Sequence, residues 1–128
     1  MTDGLVVLCT CPDDPAADRI ARALVAERLA ACVSRTALRS TYRWEDAVHD
    51  EPEVLLVIKT TRARLEQLEV RLQALHPYDL PEFLALPVTA GSERYLAWIA
   101  AETRPPSASG ASGSGVPGSG AFPSGPST

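Results

Sequence analysis

Strand, helix, two strands, helix, strand and a closing helix: this order of hydrophobic periods predicts an α+β fold, a ferredoxin-like βαββαβ sandwich with one extra C-terminal helix. Two further observations shape that expectation. Residues 5–9, 54–58 and 83–88 are apolar at nearly every position, the pattern of strands covered on both faces. The two middle strands run about 12 residues each, about 40 Å of chain, whereas the first helix spans only about 22 Å. Their hairpin is therefore expected to project beyond the body of the domain.

Leu5-Val6-Val7-Leu8-Cys9 is the first strand, and Asp13-Asp14-Pro15 offers an N-cap with proline in the first helical turn. Ala17, Ile20, Ala21, Leu24 and Val25 recur at helical spacing and carry the first helix to about Leu29. Residues 31–42 and 48–60 read as two long strands around a turn at Trp44-Glu45-Asp46-Ala47. Leu65, Leu68, Leu72 and Leu75 form the stripe of a second helix that ends at His76, because Pro77 holds the residue before it extended. Phe83 to Val88 is a last strand, placed at an edge or a bulge by Pro87. Ser92 caps a final helix expected to turn Tyr95, Trp98 and Ile99 inward.

With 128 residues the chain allows one domain, expected over 3–104. Residues 105–128 carry no charge and are almost wholly Ser, Gly, Pro and Ala, with Val116 and Phe122 the only large apolar side chains. Such a composition buries too little apolar surface to offset ordering, so this stretch is expected to be a disordered tail. The formal net charge is −4 without a dense Lys/Arg run, which argues against nucleic acid as a partner. No apolar run approaches the roughly 20 residues of a membrane span, and no basic-then-apolar leader opens the chain. A cytoplasmic protein is expected, and three cysteines there argue against a disulfide framework.

Two helices cover only one face of a four-stranded sheet, yet the strands are apolar on both faces, and the hairpin would expose unpaired backbone edges. A second copy of the chain is the simplest cover for both, so a cyclic homo-oligomer is expected.

Cys9 and Cys11 fall on one side of a strand end, where two thiolates can share a soft ion such as Cu(I); buried free cysteine is more often simply a small hydrophobe. His76 either serves the C-terminal dipole of its helix or binds a metal. His49 stands among Asp46, Asp50, Glu51 and Glu53, read as a solvated acidic face with a weak hard-cation site as the alternative. Tyr42, Trp44, Lys59, Tyr78, Glu82 and Trp98 are candidates for a ligand cleft where subunits meet, or for plain core and interface. Glu82 with His76 or Asp79 offers an acid and a base without a nucleophile, and no nucleophile elbow, phosphate loop or H-E-x-x-H is present. An enzyme is not expected.

Cys9-Thr10 before Pro12-Asp13, Glu27-Arg28-Leu29-Ala30-Ala31-Cys32-Val33, Tyr42-x-Trp44, Ile58-Lys59-Thr60, His76-Pro77-Tyr78-x-x-Pro81-Glu82 and Tyr95-x-x-Trp98 together resemble the CutA divalent-cation-tolerance family, over about residues 5–100. The resemblance implies a homotrimer similar to the PII signalling proteins, linked to tolerance of copper and other divalent cations, with no organic cofactor. It implies copper ligands at Cys9 and at the histidine before Pro77. Some members have two adjacent histidines there, whereas this chain has Leu75-His76, and Cys11 is an addition to the usual pattern. The function expected is a trimeric cytosolic protein contributing to the copper response by weak copper binding at Cys9 and His76. The alternative is a PII-like signalling module that takes a small ligand or partner at inter-subunit clefts.

Overall fold

The computed structural model describes residues 2–105; the expected tail lies outside the described residues except for Pro105. Four strands form one antiparallel sheet in the order β2-β3-β1-β4. They are β1 (Gly4–Cys11), β2 (Cys32–Trp44), β3 (Ala47–Thr61) and β4 (Leu84–Pro87), with helices α1 (Asp14–Ala26), α2 (Leu65–Leu75) and α3 (Glu93–Glu102) between and after them. This is the ferredoxin-like sandwich with its long hairpin and additional helix. Structural relatives given below share it.

The central strand β1 pairs with β3 from Gly4↔Thr61 to Cys11↔Val54 and with β4 from Leu5↔Pro87 to Leu8↔Leu84. That double register sorts its side chains by period 2. Val7, Cys9 and Cys11 join Val54, Leu56 and Ile58 in a core closed by Ala17, Ile20 and Leu24 of α1 and Leu68 and Leu72 of α2. On the opposite face Val6, Leu8, Leu55 and Val57 are only half-buried, and Leu84 and Leu86 are exposed. The apolar excess of the sequence is thus real and concentrated on one face.

Asp13 caps α1 by accepting the Ala16 amide at 2.9 Å, as expected. The helix stops at Ala26, three residues before Leu29, because Arg28 takes a left-handed backbone with φ 60°. The Arg28 amide then returns to the Val25 carbonyl and the Leu29 amide to the Leu24 carbonyl. This is a Schellman ending without glycine, which is why the sequence does not announce it. A short 3-10 turn at Arg62–Arg64 leads into α2, and its Arg64 guanidinium is buried, donating to the Arg28 carbonyl at 3.2 Å and to Gln67.

β4 is an edge strand ended by Pro87. α3 begins where Ser92 accepts the Tyr95 amide at 3.2 Å, and it closes the Gly4–Thr61 end of the sheet. A methyl group added at Gly4 would stand 3.2 Å from Leu96, and Thr103 bonds to Thr61. Of the three side chains expected to face inward, Ile99 is buried and Trp98 half-buried. Tyr95, one turn before Ile99 in the first turn of α3, is 39% exposed, so the start of the helix stays open to solvent.

β1 leaves β3 at Val54, so residues 47–53 of β3 pair only with residues 38–44 of β2. This seven-residue overhang is the projecting arm, about 23 Å long at about 3.3 Å per residue. Its two-residue turn has Glu45 at φ 51° and Asp46 at φ 67°. Both are left-handed, as a type I′ turn matched to strand twist requires; Asp46 tolerates that conformation, whereas Glu45 is poorly suited to it. Replacing Glu45→Asn and Asp46→Gly together is expected to stabilise the arm by about 1 kcal/mol, read as slower amide hydrogen exchange at residues 42–49. Unchanged or faster exchange there would show that the turn is not the weak point of the arm.

Candidate metal centre

Cys9 and Cys11 reach one compartment because alternate residues of β1 point to the helix-covered face, and both are fully buried. His76 arrives from the opposite direction. Its amide still closes the last turn of α2 on the Leu72 carbonyl at 2.9 Å, but its ψ of 139° turns the chain into the crossing that Pro77 begins. The sulfurs of Cys9 and Cys11 and a ring nitrogen of His76 all lie within 4.8 Å of one another. Among the described residues no other group of three or more Cys, His, Asp or Glu converges in this way.

Both imidazole nitrogens are engaged. Nδ1 accepts the Tyr78 amide at 3.0 Å, which leaves the ring proton on Nε2, 2.8 Å from the Thr10 carbonyl that accepts it. The ring also lies 4.8 Å from that of Tyr78. Tyr78 in turn donates its phenol to Glu53 at 2.6 Å, and burial followed by this carboxylate pushes the phenol pKa up. Glu53 is 7% exposed, so it leaves the solvated acidic face on which the sequence had placed it. The correction has a simple cause, since Glu53 is the residue at which the arm meets the body and the crossing packs over it.

The thiols perturb each other in opposite directions. The Cys11 interaction and then burial hold the Cys9 proton on, far above the ordinary thiol range. The bond from Cys9 pulls Cys11 down from 9.0 to about 6, against burial and with help from His76. Burial lowers the His76 pKa most, but Cys11 and the Thr10 carbonyl together outweigh it, so the net shift is upward. One thiolate beside one thiol and an imidazole is a soft donor set suited to copper or another thiophilic cation.

The six cleft candidates are not gathered within one chain. Tyr42 and Trp44 stand on the arm, where Tyr42 stacks on His49 at 5.3 Å and donates to Glu51 at 2.8 Å. Lys59 donates to Ser34 at 2.6 Å, beside Cys32 at 3.7 Å. Tyr78 is tied to Glu53, Glu82 is half-buried in the crossing, and Trp98 packs on Tyr95 at 5.4 Å. An open groove of about 700 Å³ lined by Glu27, Leu29, Arg64, Gln67, Val70 and Arg71 shares no residue with either set. Cys11 was legible in the sequence as a partner of Cys9 but not of His76, and Glu53 as the partner of Tyr78 was not legible at all. For Cys11 the signal was present in the C-x-C spacing; for Glu53 only the tertiary packing carries it.

The family model described as "CutA1 divalent ion tolerance protein" matches residues 5–102. A divalent-cation tolerance protein CutA from Thermus thermophilus is 48% identical over 99 residues, 77% of this chain and 96% of its own. A chloroplastic CutA of Arabidopsis thaliana is 44% identical over 79% of this chain and 56% of its own. The crystal structure of CutA from Xylella fastidiosa superposes with a TM-score of 0.78 at 45% identity, covering 80% of this chain and 99% of that one.

The thiol pair imposes a pH dependence. Between about pH 6 and 9.0 the folded pair holds one proton and the unfolded pair two, so stability rises with pH by at most about 1.4 kcal/mol per unit. Above 9.0 the unfolded pair has lost both protons while folded Cys9 keeps its own, and stability falls again. The difference in urea midpoint between the wild type and a Cys9→Ala, Cys11→Ala double variant is therefore expected to peak near pH 9. A difference that is flat across this range would show that the two sulfurs do not share a proton.

Proposed function

The chain belongs to the CutA1 divalent ion tolerance family, and from that premise we propose that it acts in the response to metal ions as a non-enzymatic cytosolic homotrimer that binds copper weakly at Cys9 and His76. The observation that carries the copper assignment is the convergence of buried sulfur and imidazole donors within 4.8 Å. Their chemistry fits the ion, since thiolate and imidazole are the donors that soft and borderline metals take. When bound, copper would supply only ligand exchange here, without a reaction step.

Weak binding follows from the local hydrogen bonds. An ion that takes Nδ1 displaces the Tyr78 amide, and one that takes Nε2 displaces the proton given to Thr10. Losing such a bond costs about 0.5–1.5 kcal/mol and more if a buried donor is orphaned. Capture at Nδ1 keeps the Nε2–H bond to a backbone carbonyl, the usual support of a ligating imidazole.

The trimer reading rests on the exposed apolar face around Leu84 and Leu86 and on the overhanging arm with Tyr42, Trp44 and Val48 at its end. The folded unit is proposed as residues 3–104. A second reading, a PII-like module taking a small ligand at inter-subunit clefts, is favoured by one observation: Tyr42, Trp44, Lys59, Tyr78, Glu82 and Trp98 are spread over the arm, β3, the crossing and α3. A cleft made from them needs neighbouring subunits.

Copper titration followed by isothermal calorimetry is expected to show binding in the wild type that is lost or weakened at least about tenfold in Cys9→Ser and in His76→Ala. Wild-type affinity in both variants would remove these residues from the site and leave the cleft reading. Light scattering of the purified chain is expected to give the mass of three copies, and a monomer would sink the assembly on which both readings depend.

A further inference from the structure

Cys11 is buried in the same cluster yet has no part in the copper reading just given, and three observations assign it one. Its sulfur and that of Cys9 lie within 4.8 Å, which is about the span of two metal–sulfur bonds of about 2.3 Å each. Both thiols are 0% exposed and their strand neighbours on that face are Val7, Val54 and Leu56. Glu53, Glu82 and Asp13 are near enough to act on them by charge, but among the described residues no carboxylate converges with the two sulfurs and the imidazole, and burial leaves no ready room for water ligands. Both nitrogens of His76 hold backbone hydrogen bonds, at 2.8 and 3.0 Å, whereas the sulfurs give up only the long 3.8 Å contact from Cys9 to the Thr10 carbonyl, so the sulfurs are the donors an arriving ion meets most readily.

A closed set of two sulfurs and one nitrogen satisfies an ion content with two or three soft ligands. It starves hard or borderline divalent ions, which expect four to six donors and commonly keep water. We propose that Cys9 and Cys11 clip a monovalent d10 copper ion, Cu(I), complete within a single chain, with His76 as the third donor. Selectivity is then for cuprous over cupric ion. The step is ligand exchange alone: the thiol, its neighbouring thiolate and Cu(I) give an anionic copper dithiolate and one proton, and no electron moves. This deepens the copper reading above and rests on it.

The test uses the full chain, reduced and anaerobic, with cuprous ion competed against bicinchoninate and cupric ion titrated separately without reductant. One cuprous ion per chain is expected, held more tightly than cupric ion. Cys11→Ser is expected to weaken cuprous binding by no less than about 100-fold, the upper end of what loss of a mere supporting group costs, while changing cupric binding less than about threefold. Copper X-ray absorption on the wild type, which needs no variant to fold, is expected to count two sulfurs per cuprous ion. One sulfur, or unchanged cuprous affinity in a Cys11→Ser protein with native circular dichroism, overturns the clip and leaves copper at Cys9 and His76. Tighter cupric than cuprous binding does the same. Binding of neither ion overturns this inference and the copper reading together.

Discussion

The antiparallel ladder between β1 and β3, running from Gly4↔Thr61 to Cys11↔Val54, governs the rest of the molecule. A slip of one residue would turn Val7, Cys9 and Cys11 away from α1 and α2 and put Val6, Leu8 and Thr10 in their place. Because β1 also pairs with β4, the same register decides which apolar side chains are left on the open face. The end of the ladder at Val54 decides a third matter. Beyond it β3 has only β2 for company, and the arm starts.

The centre lies at that same end of β1, and this placement links it to the arm. Cys11 is the last residue of the strand and is paired with Val54; Glu53, the next residue along β3, holds Tyr78. Tyr78 gives its amide to His76, whose other nitrogen reaches back to Thr10 of β1. Strand, crossing and arm root are thus joined by a short series of bonds around one imidazole. Pro77 and Pro81 fix the backbone of the crossing on either side of Tyr78.

Burial gives these polar groups their chemical character. Two thiols in water would titrate alike. Side by side and away from solvent, they cannot both ionise, and the pair resolves into one donor and one acceptor. The imidazole is held in a single tautomer by an amide on one side and a carbonyl on the other, so its affinity for any cation is set as much by its neighbours as by its own lone pairs. Exposed ion pairs such as Arg39 with Asp50 and Arg71 with Glu27 contribute little by comparison, since water and salt screen them.

Local chemistry made much of this legible. The periods of β1, α1 and α2, the caps at Asp13 and Ser92, the stop at Pro77 and a turn within residues 44–47 all follow from neighbours a few positions apart, and so does the family signature. The early end of α1 did not, because a left-handed arginine is chosen only once Leu29 and Leu24 have a core to enter. By itself the sequence determined the order and type of the elements, the apolar excess of the sheet and the candidates Cys9, Cys11 and His76. Only the tertiary structure decided that those three meet, that Glu53 is buried against Tyr78 and that Tyr95 faces outward. Such facts depend on pairing between residues tens of positions apart, and no local preference carries that register.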